Sequence, residues 1–200
     1  MAEHHPVVAA VYDVLMVPND WLGLRRQRAR LAEAATGRVL EMGAGTGLNL
    51  SHFVNAAEVV AIDPDPHMLQ RAKRRANDAP CPVHLEVLSG ENMRFGDDEF
   101  DTVVISLILC TIPDPGVALR EAHRVLKPDG SLIFLEHIRS PHTNTAKLQD
   151  WITPYWRRVS GGCHTNRSTL ETIEAGGFEI TKLWRSKSGS LVQGEARKST

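Results

Sequence analysis

Three glycines at alternate positions, Gly43, Gly45 and Gly47, are the feature that most constrains the fold of this 200-residue chain. They follow a short apolar strand that ends at Leu40, and a helix is predicted to restart over residues 48–54. Glycine lets the backbone turn tightly and approach a ligand without a Cβ in the way. A glycine turn between a strand and a helix is where a doubly wound α/β sheet binds its nucleotide. The sequence therefore predicts a nucleotide-binding turn here.

Short apolar strands alternate with helices along the rest of the chain. Strands are predicted at residues 39–40, 59–63, 83–88, 102–107 and 131–137, and helices at residues 66–79 and 117–126. Such alternation indicates βαβ units and a parallel sheet with both faces covered. Residues 178–185 and 191–197 read as a closing hairpin. The predicted fold class is α/β: Rossmann-like and doubly wound, with a mostly parallel sheet, a C-terminal antiparallel hairpin and an N-terminal helical lid.

Composition and charge exclude several classes of function. The 23 Lys and Arg residues nearly balance 24 Asp and Glu residues, so no net field recruits nucleic acid or an anionic membrane. Cys81, Cys110 and Cys163 are an odd count with no CxxC pair, which argues against a disulfide framework or a zinc site and suits a reducing cytosol. No secretory signal is visible, and the most apolar stretch, residues 103–110, is too short to cross a bilayer. We expect a soluble, cytoplasmic protein without a metal.

The glycine spacing separates two kinds of nucleotide-binding turn. A dinucleotide fingerprint, G-x-G-x-x-G, would place its third glycine at position 48, where the chain has Leu48, whereas the third glycine is Gly47. The turn over residues 43–47, preceded by Glu41, resembles the first motif of class I S-adenosylmethionine methyltransferases. That ligand carries an ammonium group and a sulfonium in place of a pyrophosphate, so an acidic Glu41 beside the turn is electrostatically favourable.

A second acidic residue stands where the ribose is expected. Asp63 ends the second strand about 20 residues beyond the turn, where a carboxylate can bind both ribose hydroxyls. An ordinary capping Asp is the alternative. Pro64 and Met68 resemble the segment that follows the ribose site in the family, and Met68 would flank the adenine. Many relatives carry an acidic residue after the third strand to accept the adenine amino group; here Ser89 occupies that position, and its hydroxyl, Glu91 or a backbone carbonyl is the candidate replacement.

The resemblance continues in order over residues 38–137, through segments 100–104 and 123–131. It implies S-adenosyl-L-methionine as the cofactor and S-adenosyl-L-homocysteine as the product. The cofactor-binding residues that it implies are Glu41, Gly43, Ala44, Gly45, Gly47, Asn49, Asp63, Pro64, Met68, Gly90, Glu91, Asn92, Ser106, Leu107 and Tyr12. For Tyr12, a tyrosine packed in a helical core is the alternative.

Segments 106–110, 134–137 and 162–167 resemble a narrower group, the methyltransferase-like seven family and its bacterial relatives. Members of that family are associated with S-methylation of small alkyl thiols, and animal members carry an N-terminal membrane anchor that is missing here. Bacterial relatives are often labelled phospholipid or quinone-type methyltransferases. The resemblance implies in-line methyl transfer to a small, partly apolar acceptor, either a thiol or a lipid- or quinone-like molecule. The alternatives are a methyltransferase of RNA or protein, a non-catalytic S-adenosylmethionine-binding protein and a nicotinamide dehydrogenase.

His137, at the carboxyl end of the fifth strand, is the candidate catalytic base for a thiol acceptor, because the thiolate is the nucleophile. A histidine that only hydrogen-bonds a loop and holds Glu136 in place is the alternative. The candidate acceptor pocket comprises Cys110, Trp151, Tyr155, Cys163 and His164. Core packing would explain the aromatic residues and the cysteines as well.

We expect one domain over residues 1–200. It comprises N-terminal helices (1–36), a cofactor-binding core (38–137) and an acceptor-side segment with the closing hairpin (138–200). The expected partner is a small-molecule acceptor and not a nucleic acid. No transmembrane segment is predicted; peripheral membrane contact is left open, as is the choice between monomer and homodimer.

Overall fold

The computed structural model describes residues 23–159 and 162–199. Within these residues the chain forms a seven-stranded sheet with helices packed around it. The strands are β1 (Gly37–Met42), β2 (Ala56–Asp63), β3 (Val83–Val87), β4 (Phe100–Ser106), β5 (Leu126–His137), β6 (Phe178–Arg185) and β7 (Leu191–Lys198). The helices are α1 (Arg25–Glu33), α2 (Pro66–Asn77), α3 (Pro115–Val125), α4 (Thr143–Val159) and α5 (Thr169–Ala175), with a short 3-10 helix at Leu50–His52.

The strand order in the sheet is β3-β2-β1-β4-β5-β7-β6. Strands β1 to β5 pair in parallel, whereas β7 pairs antiparallel with both β5 and β6. The order reverses between β1 and β4, and such a switch point opens a crevice at the carboxyl ends of the strands. The predicted α/β class, with its mostly parallel sheet and C-terminal hairpin, is confirmed. The predicted N-terminal lid lies mainly in residues 1–22, outside the described residues.

Both faces of the sheet are buried, as its near-continuous apolar strands require. One face carries Met42, Ile105 and Phe134 and packs against α3, which contributes Leu119. The opposite face packs against α1 and α2, and Leu31 of α1 is fully buried there. This sandwich fixes the strands, so the side chains at their carboxyl ends share one edge.

Two predicted elements differ in the structure. The helix predicted over residues 48–54 is a single 3-10 turn, Leu50–His52, because the backbone leaves the helical region at Phe53, where ψ is 55°. Strand β5 begins at Leu126 and not at residue 131, since Leu126 already pairs with Phe100 before the register shifts.

Candidate functional site

The glycine turn after β1 has one residue that faces open space. Gly43, Gly45 and Gly47 all take positive φ angles, of 71°, 55° and 79°. A Cβ at Gly43 would overlap the Ile108 side chain, and one at Gly47 would lie 2.7 Å from a methyl group of Leu50. A Cβ at Gly45 would meet nothing within 4 Å. The outer two glycines are therefore required by packing, whereas the middle one lies where a ligand can approach the backbone.

Glu41, near the end of β1, is a fully buried carboxylate with one hydrogen-bonded oxygen. Asn49 Nδ2 donates to Glu41 Oε1 over 2.7 Å, and Arg28 Nη1 donates to Asn49 Oδ1 over 3.1 Å. Glu41 Oε2 has no hydrogen-bond partner among the described residues. Burial raises the pKa of Glu41 to about 7, against the opposing effects of Asn49 and the Arg28 charge. A cationic group that reached Oε2 would give the second oxygen of this carboxylate a hydrogen-bond partner.

Asp63, at the end of β2, ties the glycine turn to the start of α2. Its Oδ2 accepts from the Gly45 backbone N–H and its Oδ1 from that of Asp65, both over 2.9 Å. Burial raises the pKa of Asp63, and the two backbone hydrogen bonds oppose that rise. Each carboxylate oxygen has a further lone pair for a hydroxyl donor. Pro64 is exposed and Met68 is half-buried on the adjoining segment.

The segment after β3 uses its polar side chains to hold its own loop. Ser89 Oγ accepts from the Glu91 N–H over 3.2 Å, and Glu91 Oε1 accepts from the Asp114 N–H over 2.8 Å. Gly90 is buried, with the end of the Met42 side chain where a Cβ would be, and Asn92 is exposed. Two of the three predicted replacements for an adenine-binding carboxylate therefore already accept a hydrogen bond within the loop, and both keep further acceptor capacity.

The turn after β4 is held in an unusual conformation by Glu136 of β5. Leu107 adopts a left-handed φ of 58° although it is not glycine. The next two backbone N–H groups, of Ile108 and Leu109, donate to Glu136 Oε1 over 2.8 and 3.0 Å. Burial raises the pKa of Glu136 well above its usual value. Glu136 Oε2 and the Ser106 hydroxyl have no hydrogen-bond partner in residues 23–159 and 162–199, so the crevice beside this turn presents polar groups.

Three predicted residues meet beside that turn: Cys110 after β4, His137 at the end of β5, and Cys163 before α5. The two sulfurs are 3.3 Å apart, and Cys163 Sγ is 3.9 Å from His137 Nδ1. Contact with Cys163 and burial raise the pKa of Cys110, whereas contact with Cys110 lowers that of Cys163. The predicted pocket residue His164 donates its backbone N–H to the Cys110 carbonyl over 2.8 Å. The structure thus assembles four of the predicted acceptor-side residues.

The predicted aromatic pocket residues lie on α4 and face outward. Trp151 is 69% exposed and Tyr155 is 61% exposed, with ring centroids 6.2 Å apart. Leu148, one turn earlier, is also exposed. Trp156 differs, because its side chain hydrogen-bonds to Cys163. Trp151 and Tyr155 therefore form an outer apolar surface, and Trp156 is the aromatic residue that reaches the cysteine–histidine cluster.

Two side chains that sequence reasoning did not single out fix the surroundings of the cluster. Gln149 of α4 donates to the carbonyls of Ile138 and Thr165 over 2.9 and 2.6 Å. Arg167 donates to the carbonyls of Leu109 and Ile112, which belong to the turn before and after Cys110. A buried glutamine and a loop arginine have no local sequence signature, since their partners are distant in the chain.

Arg28 and Glu136 were also not predicted as site residues, and they connect the glycine turn to the cysteine–histidine cluster. Arg28 reaches Glu41 through Asn49. Burial raises the pKa of Glu41, and Cys110 and Glu136 raise that of His137 against the effect of burial; the Arg28 charge opposes both rises. A glutamate within the apolar run of β5 was a visible signal for Glu136. No such signal marks Arg28, which sits among other arginines on α1.

Two further expectations concern Tyr12 and membrane-spanning helices. Tyr12 lies outside the described residues. In the described part of the chain, no helix combines the length and apolar character needed to cross a bilayer.

Comparisons with known proteins point to one family. Residues 40–134 match a family model described as a methyltransferase domain. The thiol S-methyltransferase TMT1B of Rattus norvegicus is 36% identical over 72% of this chain and 61% of its own length. The ubiquinone/menaquinone biosynthesis C-methyltransferase UbiE of Vibrio parahaemolyticus is 34% identical over 96% of this chain and 85% of its own. This chain therefore spans about three fifths of the length of the rat thiol methyltransferase.

A solved structure shares the fold. The YcgJ protein of Bacillus subtilis matches with a TM-score of 0.72 at 17% identity, over 88% of this chain and 99% of that one. At that identity the likeness concerns the fold alone.

The residues at the turn fit S-adenosylmethionine. Glu41 Oε2 is an unpartnered buried oxygen suited to an ammonium group, and Gly45 leaves its side of the backbone open. The Asp63 carboxylate lies next to that glycine with acceptor capacity left for ribose hydroxyls.

Gly45→Ala tests whether the open side of the turn is where the ligand binds. The new methyl group meets no protein atom, so we expect the unfolding free energy without ligand to fall only by the cost of a left-handed alanine, about 1–2 kcal/mol. S-adenosylmethionine affinity falls at least about tenfold, because the methyl group occupies the ligand's side. Thermal unfolding and calorimetric titration measure the two effects. Gly43→Ala is the contrast, since it overlaps Ile108 and destabilises the ligand-free protein further. Unchanged affinity in Gly45→Ala would contradict the placement.

Glu41→Gln separates the stability of the ligand-free protein from its affinity for the cofactor. Folding raises the pKa of Glu41 from 4.5 to about 7, so ionised Glu41 destabilises the fold. That cost is absent below pH 4.5 and fully present above pH 7. Gln removes it and still accepts from Asn49, so stability at pH 8 rises by up to about 3 kcal/mol.

Cofactor affinity moves in the opposite direction in the same variant. Losing a charge-assisted hydrogen bond weakens S-adenosylmethionine binding about 10- to 100-fold at pH 8. Chemical denaturation and calorimetry at pH 5 and pH 8 read out both quantities, with the exposed Glu174→Gln as a matched control. A Glu41→Gln variant that is less stable at pH 8, or that binds normally, would show that Glu41 has no such role.

Proposed function

The chain belongs to the class I S-adenosylmethionine-dependent methyltransferases, and from this premise we propose that it methylates the sulfur of a small, partly apolar thiol. The observation that carries the choice of acceptor is the cluster of Cys110, His137 and Cys163 at the carboxyl edge of β4 and β5. Open α/β sheets bind their ligands at that edge. The rat relative named as a thiol S-methyltransferase supports the same choice.

On this proposal the glycine turn and its two carboxylates bind the cofactor. Glu41, oriented by Asn49, takes the ammonium group, and Asp63 takes the ribose hydroxyls. The predicted contacts from Met68, Gly90, Asn92, Ser106 and Leu107 remain part of the proposal. When bound, S-adenosylmethionine supplies a methyl group activated by its sulfonium. The protein's own contribution is to hold acceptor and donor in line, which is the main source of rate in such a displacement.

The acceptor side has to bring a thiol to the same edge and help it ionise. Only the thiolate is an effective nucleophile, and a free thiol has a pKa near 8.5. His137 is the predicted residue that promotes this ionisation, and it is half-buried, so an acceptor can reach it. Glu136 acts through the turn after β4, because it fixes the Ile108 and Leu109 backbone.

A second acceptor class, quinone- or lipid-like molecules, is favoured by the outer surface of α4. Leu148, Trp151 and Tyr155 are exposed there, and Lys147 and Arg157 lie on the same helix. Exposed aromatic residues with nearby cations suit contact with an amphiphile or a membrane surface. The Vibrio relative is named as a C-methyltransferase of ubiquinone/menaquinone biosynthesis. Peripheral membrane contact, a cytoplasmic location, a single domain over residues 1–200 and the monomer or homodimer state remain parts of this proposal.

Asp63→Asn tests the cofactor half of the proposal. The substitution keeps the side chain's size but replaces one acceptor oxygen with a donor. It therefore weakens the hydrogen bond from the Gly45 N–H and the one expected from a ribose hydroxyl. We expect at least about a 30-fold loss of S-adenosylmethionine affinity by calorimetry. Asp65→Asn is the control, because Asn also caps the α2 N-terminus and should bind within about twofold of the unchanged protein. Equal affinities for the two variants would refute the ribose placement.

A turnover screen tests the acceptor half. We expect methylation of small alkyl thiols, detected as S-adenosylhomocysteine formation and as the thioether product by mass spectrometry. Phenols, amines, quinols and phosphatidylethanolamine serve as competing acceptors. Turnover of quinols or phosphatidylethanolamine but not thiols would overturn the thiol in favour of the second class. Turnover of RNA or protein alone would overturn both.

A further inference from the structure

The cluster of Cys110, His137 and Cys163 has the composition of a metal site. Its three donor atoms all lie within 4.8 Å of one another, with 3.3 Å between the sulfurs and 3.9 Å between Cys163 Sγ and His137 Nδ1. Tetrahedral Zn²⁺ with its usual bond lengths requires about 3.8 Å between two sulfurs and about 3.6 Å between sulfur and nitrogen. The two printed distances differ from that geometry by about 0.5 Å and 0.3 Å, whereas the third pair, Cys110 and His137, lies within 4.8 Å and closes by up to about 1.2 Å when the metal binds.

We propose that Cys110, His137 and Cys163 bind a Zn²⁺ ion through three protein ligands and leave its fourth position to the acceptor thiol. Two thiolates and an imidazole form a ligand set that catalytic zinc sites use, with the fourth position open. Cys110 and Cys163 are buried, whereas His137 is half-buried, so the site has a closed side and an accessible side.

The surroundings hold the backbone of the ligand residues in place, and the metal would replace the contacts of Cys110 Sγ with the Leu107 carbonyl and the Thr111 hydroxyl. The Cys110 carbonyl accepts from the His164 N–H. Arg167 donates to the backbone carbonyls of Leu109 and Ile112, which lie on either side of Cys110 in the chain. The His137 carbonyl accepts from the Thr169 hydroxyl over 3.3 Å. Loops from three distant parts of the chain are thus fixed at the point where the donors converge. Such fixed ligand-bearing loops are what a specific metal site requires.

Charged groups of both signs act on the cluster. Glu136 acts electrostatically on both Cys110 and His137, and its Oε2 has no hydrogen-bond partner among the described residues. Arg28 acts on His137 and Arg167 acts on Cys163. The two thiolates of the proposed site neutralise the charge of the ion.

The metal would activate the acceptor, with His137 acting as a metal ligand and not as a free base, and this step rests on the proposed methylation of a thiol. A thiol that binds Zn²⁺ loses its proton to solvent, since a coordinated thiol is deprotonated near neutral pH. The thiolate sulfur then forms a bond to the methyl carbon of S-adenosylmethionine while the bond from that carbon to the sulfonium breaks. The electron pair of the broken bond stays on the departing sulfur, giving a neutral thioether on each side. A thioether is a weaker zinc ligand than a thiolate, so the product leaves.

The test measures metal in the full-length protein by two routes. Purified protein is analysed for zinc by mass spectrometry, and the metal-free protein is titrated with Zn²⁺ against a chromophoric chelator and with Co²⁺ under reducing conditions. We expect about one zinc per chain and, with Co²⁺, sulfur-to-metal charge transfer together with intense tetrahedral ligand-field bands. Less than about 0.1 zinc per chain after titration, or octahedral cobalt spectra, would overturn the site.

Matched variants assign the metal to the cluster. Cys163→Ser should lower zinc affinity at least about 100-fold and abolish the charge-transfer band, whereas Cys81→Ser, which alters the third cysteine outside the cluster, should leave both unchanged. Equal zinc binding by the two variants would overturn the proposal. So would rapid closure of a Cys110–Cys163 disulfide in air that Zn²⁺ does not slow. The unchanged protein's chelator titration decides the question even if Cys163→Ser does not fold.

The metal site and the proposed function can be refuted separately. Stoichiometric zinc binding, together with a spectrum of the cobalt-loaded protein that shifts when a small thiol is added, supports the metal proposal whether or not that thiol is methylated. Thiol methylation by the metal-free protein at the same rate as by the zinc-loaded protein would overturn the metal's role and leave the proposed function standing. Zinc binding without methylation of any thiol would overturn the proposed acceptor and leave the metal site standing.

Discussion

Two buried carboxylates at the edge of one sheet determine how this site is built. Glu41 near the end of β1 and Glu136 near the end of β5 are both fully buried, and each has one hydrogen-bonded oxygen and one without a partner among the described residues. Burying an ionised group without full compensation costs free energy. The fold retains one such group at its switch point and another near the end of β5, and one oxygen of each keeps its acceptor capacity. The rigid parallel sheet, buried on both faces, makes this arrangement possible.

The fold could be predicted because its signals are local. Apolar runs of strand length, the Gly43–Gly47 spacing and the helix start at Pro66 all depend on residues close together in sequence. The exception is informative. The helix predicted over residues 48–54 is cut to one 3-10 turn, because the chain leaves the helical region at Phe53. Helix α4 (Thr143–Val159) was not predicted either.

The site was predictable in its residue types but not in its connections. Glu41, Gly45 and Asp63 follow from the family resemblance, and the structure shows why each suits its proposed role. Arg28, Gln149 and Arg167 act on groups far away in the chain, so no window of sequence reveals their partners, whereas Glu136 is marked by its place in the apolar run of β5. The same limit applies to the cysteines. The absence of a CxxC pair speaks only to ligands on one loop, whereas Cys110 and Cys163 are separated by 53 positions and meet through the fold.

The two ends of the crevice are electrostatically one unit. Burial raises the pKa of Glu41, and Cys110 and Glu136 raise that of His137 against the effect of burial; the Arg28 charge opposes both rises. Arg28 is hydrogen-bonded to Asn49 and is buried on α1. The packing of α1 against the sheet therefore fixes a cation that acts on both ends of the crevice, although it lies on neither strand that carries those ends.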